Sequence, residues 1–224
     1  MSTKELRWLF LAVFAVAFFV SLVIEPLTLG VSLEWSNGNY RFAAGTHPSL
    51  LLLALIIWGL YLLLMHSTPA SAGKPLPGVF RRFVAFFLDF YLALMAIAPV
   101  VGILPAILEW RRTGDFQWNF ERITPAPADG WLSSAGFVLS LALLVSYFVL
   151  PVIRRRPSPG SCIVSYQIIP DDGVTITFRM ALLRMLLGFI AACSAYLAPF
   201  IARDRKKGKV WFDKVCGTRA VILK

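Results

Sequence analysis

The stretch FRRFVAFFLDFYLAL, Phe80 to Leu94, opens with two arginines and carries one aspartate, Asp89, inside an otherwise apolar run. An unpaired charge in hydrocarbon is costly, and an acid placed there is a functional-site hypothesis by default. Asp89 therefore binds a cation, relays a proton, or pairs with an arginine from another segment, for which Arg184 is the candidate. Arg82 lies seven residues earlier, about 20° around a helix and about 10 Å along it. The two share a face but are too far apart for one direct ion pair. Arg82 would reach headgroup level, leaving Asp89 about two turns deeper.

Other charged residues call for less chemistry. Arg179 and Arg184 frame FRMALLRMLL, which suits a helix at an interface touching lipid headgroups. The run RDRKKGK, Arg203 to Lys209, contains Asp204 and Arg205 and reads as a solvated, topology-setting segment attracted to anionic lipid. Asp213, in VWFDKVCGT, has no evident local reason to be acidic beyond capping or turning the chain. The Asp171-Asp172-Gly173 sequence is most simply a turn. Cys162, Cys193 and Cys216 are odd in number without CxxC spacing, and His47 and His66 lack metal-ligand spacing. With no phosphate loop, GxSxG or HExxH either, we expect no catalytic residues, no metal, no cofactor and no enzymatic activity.

The elements that must position these residues follow from composition. The 224 residues are 58% hydrophobic and only 15% charged, with a mean hydropathy of +0.72. That is far more apolar than a soluble domain. The net charge of +10 sits beside apolar runs, which suits cytoplasmic ends and anionic headgroups. No nucleic-acid partner is expected. The reading is an all-α polytopic membrane protein. Four transmembrane helices are predicted, starting with an uncleaved signal-anchor helix over Trp8 to Ile24 and a second over Leu50 to Met65. The third runs from Phe83 to Leu108, interrupted by Pro99, Gly102 and Pro105, and the fourth from Trp131 to Ile153. Trp110, Trp118 and Trp131 suggest an aromatic belt.

Between spans, residues 31–48 read as a polar connection with a short turn at Asn37-Gly38, and residues 109–130 as a turn-rich loop. STPASAGKPLPG is a linker over residues 67–78. It divides an N-terminal helix pair, residues 1–66, from a membrane domain over residues 79–224. The alternation in CIVSYQIIPDDGVTITF around Asp-Gly predicts a β-hairpin, and GTRAVILK one further strand. Together they make a small cytoplasmic β-element. Residues 185–201 form a re-entrant or fifth membrane segment. With the N-terminus inside, four spans keep Arg81, Arg82 and Arg154–Arg156 in the cytoplasm, whereas a fifth full crossing would export the basic tail. Both termini are therefore expected on the cytoplasmic side.

From about residue 77 to 223 the chain resembles the RDD family of bacterial membrane proteins, named for one arginine and two aspartates. RRFVAFFLD matches the family's opening at Arg81, Arg82, Ala85 and Asp89. The middle block is met by Gly160, Gly173, Phe178 and Arg184, and the closing block by Asp204, Arg205, Asp213, Lys214, Gly217 and Thr218. Departures occur at Ser161 and Cys162, where a basic residue is usual, at Met180 for an arginine, and at Phe212 for a histidine. The resemblance implies a triad of Arg82, Asp89 and Asp213, with Arg81, Arg184, Asp204 and Arg205 in support, and a bacterial inner-membrane location. It implies transport, with Na⁺/H⁺ antiport attributed to some members.

Two functions are thus carried forward. One is a small ion-coupled transporter or transporter-like subunit with a cation or proton at Asp89. The other is a non-catalytic subunit that assembles with itself or other membrane proteins, the Arg/Asp set being a structural clamp.

Overall fold

The computed structural model describes residues 3–23, 30–36, 39–67, 77–124, 130–170, 176–193 and 210–223. Among these residues, four helices are long and apolar enough to cross a membrane: α1 (Thr3–Val23), α2 (Pro48–His66), α3 (Val79–Thr113) and α4 (Gly130–Ile153). The four predicted spans are all present, each a little longer than read. α3 runs unbroken through Pro99 and Pro105 for 35 residues, or about 52 Å at 1.5 Å per residue. That far exceeds a hydrocarbon core of about 30 Å. Shorter elements complete the chain: strands β1 (Gly30–Ser36), β2 (Asn39–Gly45) and β3 (Asn119–Thr124), then helix α5 (Pro159–Ile163) and β4 (Tyr166–Pro170). α6 (Phe178–Cys193), α7 (Trp211–Val215) and β5 (Thr218–Ile222) follow.

The chain forms two compact units, and both draw residues from either side of the predicted linker. One comprises residues 13–59 and 93–144. Its loops hold an antiparallel sheet with β2 in the centre, where the sequence reading had only a turn and a loop. Alternation is the cause. Phe42 and Ala44 face inward with Leu132, Val31 and Phe120, while Arg41 faces out and bonds Glu121 at 2.6 Å. Gly45 is opposite Asn119, whose side chain occupies the space a Cβ would need. Glu109 ties Arg112 at 2.6 Å and Arg122 at 2.8 Å. Trp110 and Trp118 are exposed with Phe116 edge-on between them. Trp58 Nε1 donates to the Ala96 carbonyl at 2.9 Å, beside the Met95 carbonyl that Pro99, lacking an N–H, leaves unpaired in the helix.

The other unit comprises residues 1–12, 60–92 and 145–224. Here α3, α4 and α6 meet through Phe86, Phe148 and Phe189, with Phe189 edge-on at 5.1 Å from Phe86 and 5.3 Å from Phe148. Pro151 denies the Tyr147 carbonyl its helical donor. Tyr61 repairs the gap: its ring stacks on Tyr147 at 5.3 Å. Its hydroxyl reaches the carbonyls of Ser146 at 3.0 Å and Tyr147 at 3.3 Å.

α4 then stops at a Schellman cap. Arg156 N–H donates to the Pro151 carbonyl and Arg155 N–H to that of Val152, with Arg155 left-handed at φ 53°. The hairpin reading needs correction. β4 pairs antiparallel with β5, Tyr166 opposite Ile222, and the second arm is not its partner among the described residues. Ile176 instead turns inward against Val149, Val152 and Ala181, and Phe178 begins a helix. The tail strand provides more apolar contact, because Ala220 packs with Ala85 and Tyr166. α6 is described over 16 residues, about 24 Å. Residues 194–201 of the predicted re-entrant segment lie outside the described residues.

Candidate functional site

The Arg/Asp set occupies two neighbouring places in the second unit. The first is an ion cluster. Asp213, fully buried in the short helix α7, takes Arg82 Nη1 on Oδ2 and Arg184 Nη1 on Oδ1. Arg184 Nη1 also donates to Thr218 Oγ1 at 2.7 Å, and its guanidinium lies over the Phe212 ring at 5.2 Å. Phe212 thus holds Arg184 by its π face at the position where the family resemblance expected histidine. Burial alone would push the Asp213 carboxyl up, but the two guanidiniums outweigh it and hold the group below the usual carboxylate range. The cluster joins α3, α6, α7 and the start of β5, where Gly217 supplies the left-handed turn at φ 55°. Removing one partner from such a buried set costs about 3–5 kcal/mol.

Asp89 lies elsewhere. The expected pairing with Arg184 is not made, because Arg184 is committed to Asp213, and no ion-pair partner reaches Asp89 among the described residues. Its Oδ1 instead accepts the Gly160 N–H at 2.7 Å, and its Oδ2 the Ser158 hydroxyl at 2.6 Å. Ser158 is the N-cap of α5 yet makes no side-chain cap bond to its own helix. Asp89 performs that duty from α3, while Pro159 at the first helical position needs no acceptor. The fit requires glycine. A Cβ on Gly160 would overlap the Ala85 carbonyl and sit 2.7 Å from the Asp89 nitrogen.

The hydroxyls continue the network. Ser158 Oγ lies 2.8 Å from Ser161 Oγ, which donates to the Ser158 carbonyl at 2.9 Å. Ser158 can therefore donate to an ionised Asp89, or accept from a protonated one while donating to Ser161. Either state leaves no donor wasted.

Among the supporting residues, Arg81 is exposed beside buried Arg82, and Asp204 and Arg205 lie outside the described residues. Cys162 is a free, buried thiol whose ionisation burial pushes up to about 12, so it is not a reactive nucleophile. The sequence reading missed Ser158 and Arg156. The Ser-Pro-Gly start of α5 is a helix-opening signal that marks Ser158; Arg156 gives no local signal.

The architecture and the site together define a multi-pass helical membrane protein with a buried arginine–aspartate cluster at one end of its third helix. The RDD family's sequence model matches residues 76–217, more than half of the 224, and the chain belongs to the RDD family. No curated protein and no solved structure matches it.

Proposed function

We propose that this protein is a non-catalytic membrane subunit whose Arg/Asp set is an internal clamp, the rest of its surface serving lipid and protein neighbours. One observation carries the reading: Arg82, Arg184, Asp213 and Asp89 all make their contacts inside the chain. Arg82 and Arg184 hold Asp213, and Asp89 caps α5. We locate the clamp on the cytoplasmic side of a bacterial inner membrane, with both termini there, because Arg81, Arg82 and Arg154–Arg156 gather at that end of their helices. Anionic headgroups, a second copy or other membrane proteins are the partners.

A second reading is a small ion-coupled transporter. It is favoured by Asp89 lining a cavity with no ion-pair partner among the described residues, in a hydroxyl network that suits either protonation state. Asp89→Asn separates the two. The amide can still accept the Gly160 N–H, but it must donate to Ser158, which then turns to Ser161, so the variant loses the charge-assisted bonds of an ionised Asp89. As a clamp, the variant should lower membrane abundance and recovery of any co-purifying partner several-fold. Wild-type abundance and assembly combined with lost proton or sodium flux in proteoliposomes would overturn the clamp in favour of transport.

A further inference from the structure

Arg82 is only partly used by the clamp. Its Nη1 goes to Asp213, but its Nε and Nη2 are buried and have no hydrogen-bond partner among the described residues. The side chain is just 8% exposed. Arg156 repeats the pattern, since its Nη1 is buried and equally unpartnered. Native structures rarely bury charged donors without an acceptor, and here two arginines do so on one cavity. Arg82, Arg156 and Arg184 all line a space of about 140 Å³. Its remaining wall is largely apolar, with Phe86, Phe148, Val152, Met185 and Gly188.

The charge count favours an anion. Three guanidiniums stand against Asp213, which can neutralise one of them, and Asp89, which also borders the space. Even with Asp89 ionised the described surroundings remain positive. Arg156 is also held in place, since its backbone closes the Schellman cap of α4. Guanidinium forks match the oxygens of phosphate, and their bonds to an anion are about twice as strong as neutral ones. The space is close to that of a cavity of about 150 Å³ that accepts benzene. It has room for a phosphoryl group and a few methylenes.

We infer that this cavity binds a phosphomonoester group carrying an apolar chain, with Arg82 Nε and Nη2 and Arg156 Nη1 taking its oxygens and the phenylalanines lining the start of the chain. The chemistry could be supplied by a lipid headgroup or by free phosphate, and the apolar wall favours the lipid. The inference stands apart from both readings above, since it concerns donors that neither of them uses.

Binding to the purified full chain in detergent can be followed by native mass spectrometry and by ligand-dependent thermal stabilisation. The probes are phosphatidic acid, phosphatidylcholine and inorganic phosphate. Arg82 variants would also break the clamp, so Arg156→Gln and Gly188→Leu are the informative ones. Gly188 lines the cavity and a Cβ there meets nothing within 4 Å, so a leucine takes up cavity space while every arginine is kept. Phosphatidic acid should bind at least about tenfold tighter than phosphatidylcholine, and each variant should weaken it about tenfold while keeping the unliganded unfolding midpoint. Inorganic phosphate binding with the same dependence on Arg156 would identify the source as free phosphate. Equal affinity for the two lipids with no phosphate binding overturns the site. So does phosphatidic acid affinity that neither variant changes.

Discussion

Asp89 and Asp213 are both buried acids, yet their surroundings give them different work. Asp213 balances two guanidiniums, whereas Asp89 receives an amide and a hydroxyl. The narrowest tolerance at this scale belongs to Gly160, where α5 touches the backbone of α3. Gly160→Ala must push α5 away and loosen both bonds to Asp89. We expect a loss of about 1–3 kcal/mol, as for other overpacked sites, read as a lower unfolding midpoint in detergent. Asp89→Asn should lower the midpoint as well, and the double variant should fall short of additivity because both changes weaken one contact. An unchanged midpoint for Gly160→Ala would refute the close approach. In the sequence, Asp89 stood out because it is an acid in an apolar run. Its partners did not, since Gly160 lies 71 residues away and no spacing rule reaches that far. Arg184 was recognised as a partner for an acid, but assigned to the wrong one.

At the level of elements, the four spans were legible because length and apolarity alone specify a membrane helix. The strands were harder. The alternation in VSLEWS and NYRFAA flanks Asn-Gly and could have marked a hairpin, but β3 arrives from beyond the next helix and shows itself only through its pairing. For β4, the Asp-Gly signal named the right strand, and its partner among the described residues is the tail strand that was also read from the sequence. The Tyr61 contact makes a prediction that belongs to helices. Tyr61→Phe keeps the ring stack but leaves the Tyr147 carbonyl without its donor at Pro151. A buried unsatisfied acceptor costs about 1–3 kcal/mol, measurable as a fall in thermal midpoint by circular dichroism. Pro151→Ala returns an N–H to that carbonyl, so the cost of Tyr61→Phe should shrink in its presence. Equal costs in both backgrounds would assign the hydroxyl's contribution to the Ser146 carbonyl instead.

For the molecule as a whole, pH is the global test of the ion cluster. Asp213 is held below the usual carboxylate range in the folded protein, whereas in the unfolded chain it titrates near about 3.9. The unfolded state therefore binds the proton first, and the cluster's contribution is fully present above that value. It is lost as pH falls below about 4. Denaturant midpoints in detergent should be level from neutral pH down to mildly acid conditions and drop below that window, with a shallower drop in Asp213→Asn. An equally steep drop in the variant would assign the acid sensitivity to other carboxylates.

The clamp also sets a schedule for synthesis. Arg82 and Asp213 are 131 residues apart, so at about 5–20 residues per second the arginine waits roughly 7–26 s for its counter-charge to be made. During that interval α3 is already in place with a guanidinium at its end, and β4 has no strand to pair with. The unit containing the family's signature residues cannot close until Asp213 and β5 have been made. A ribosome stalled before residue 213 would leave a protein with its spans inserted but both arginines uncompensated, a form that quality-control proteases can tell apart from the finished one.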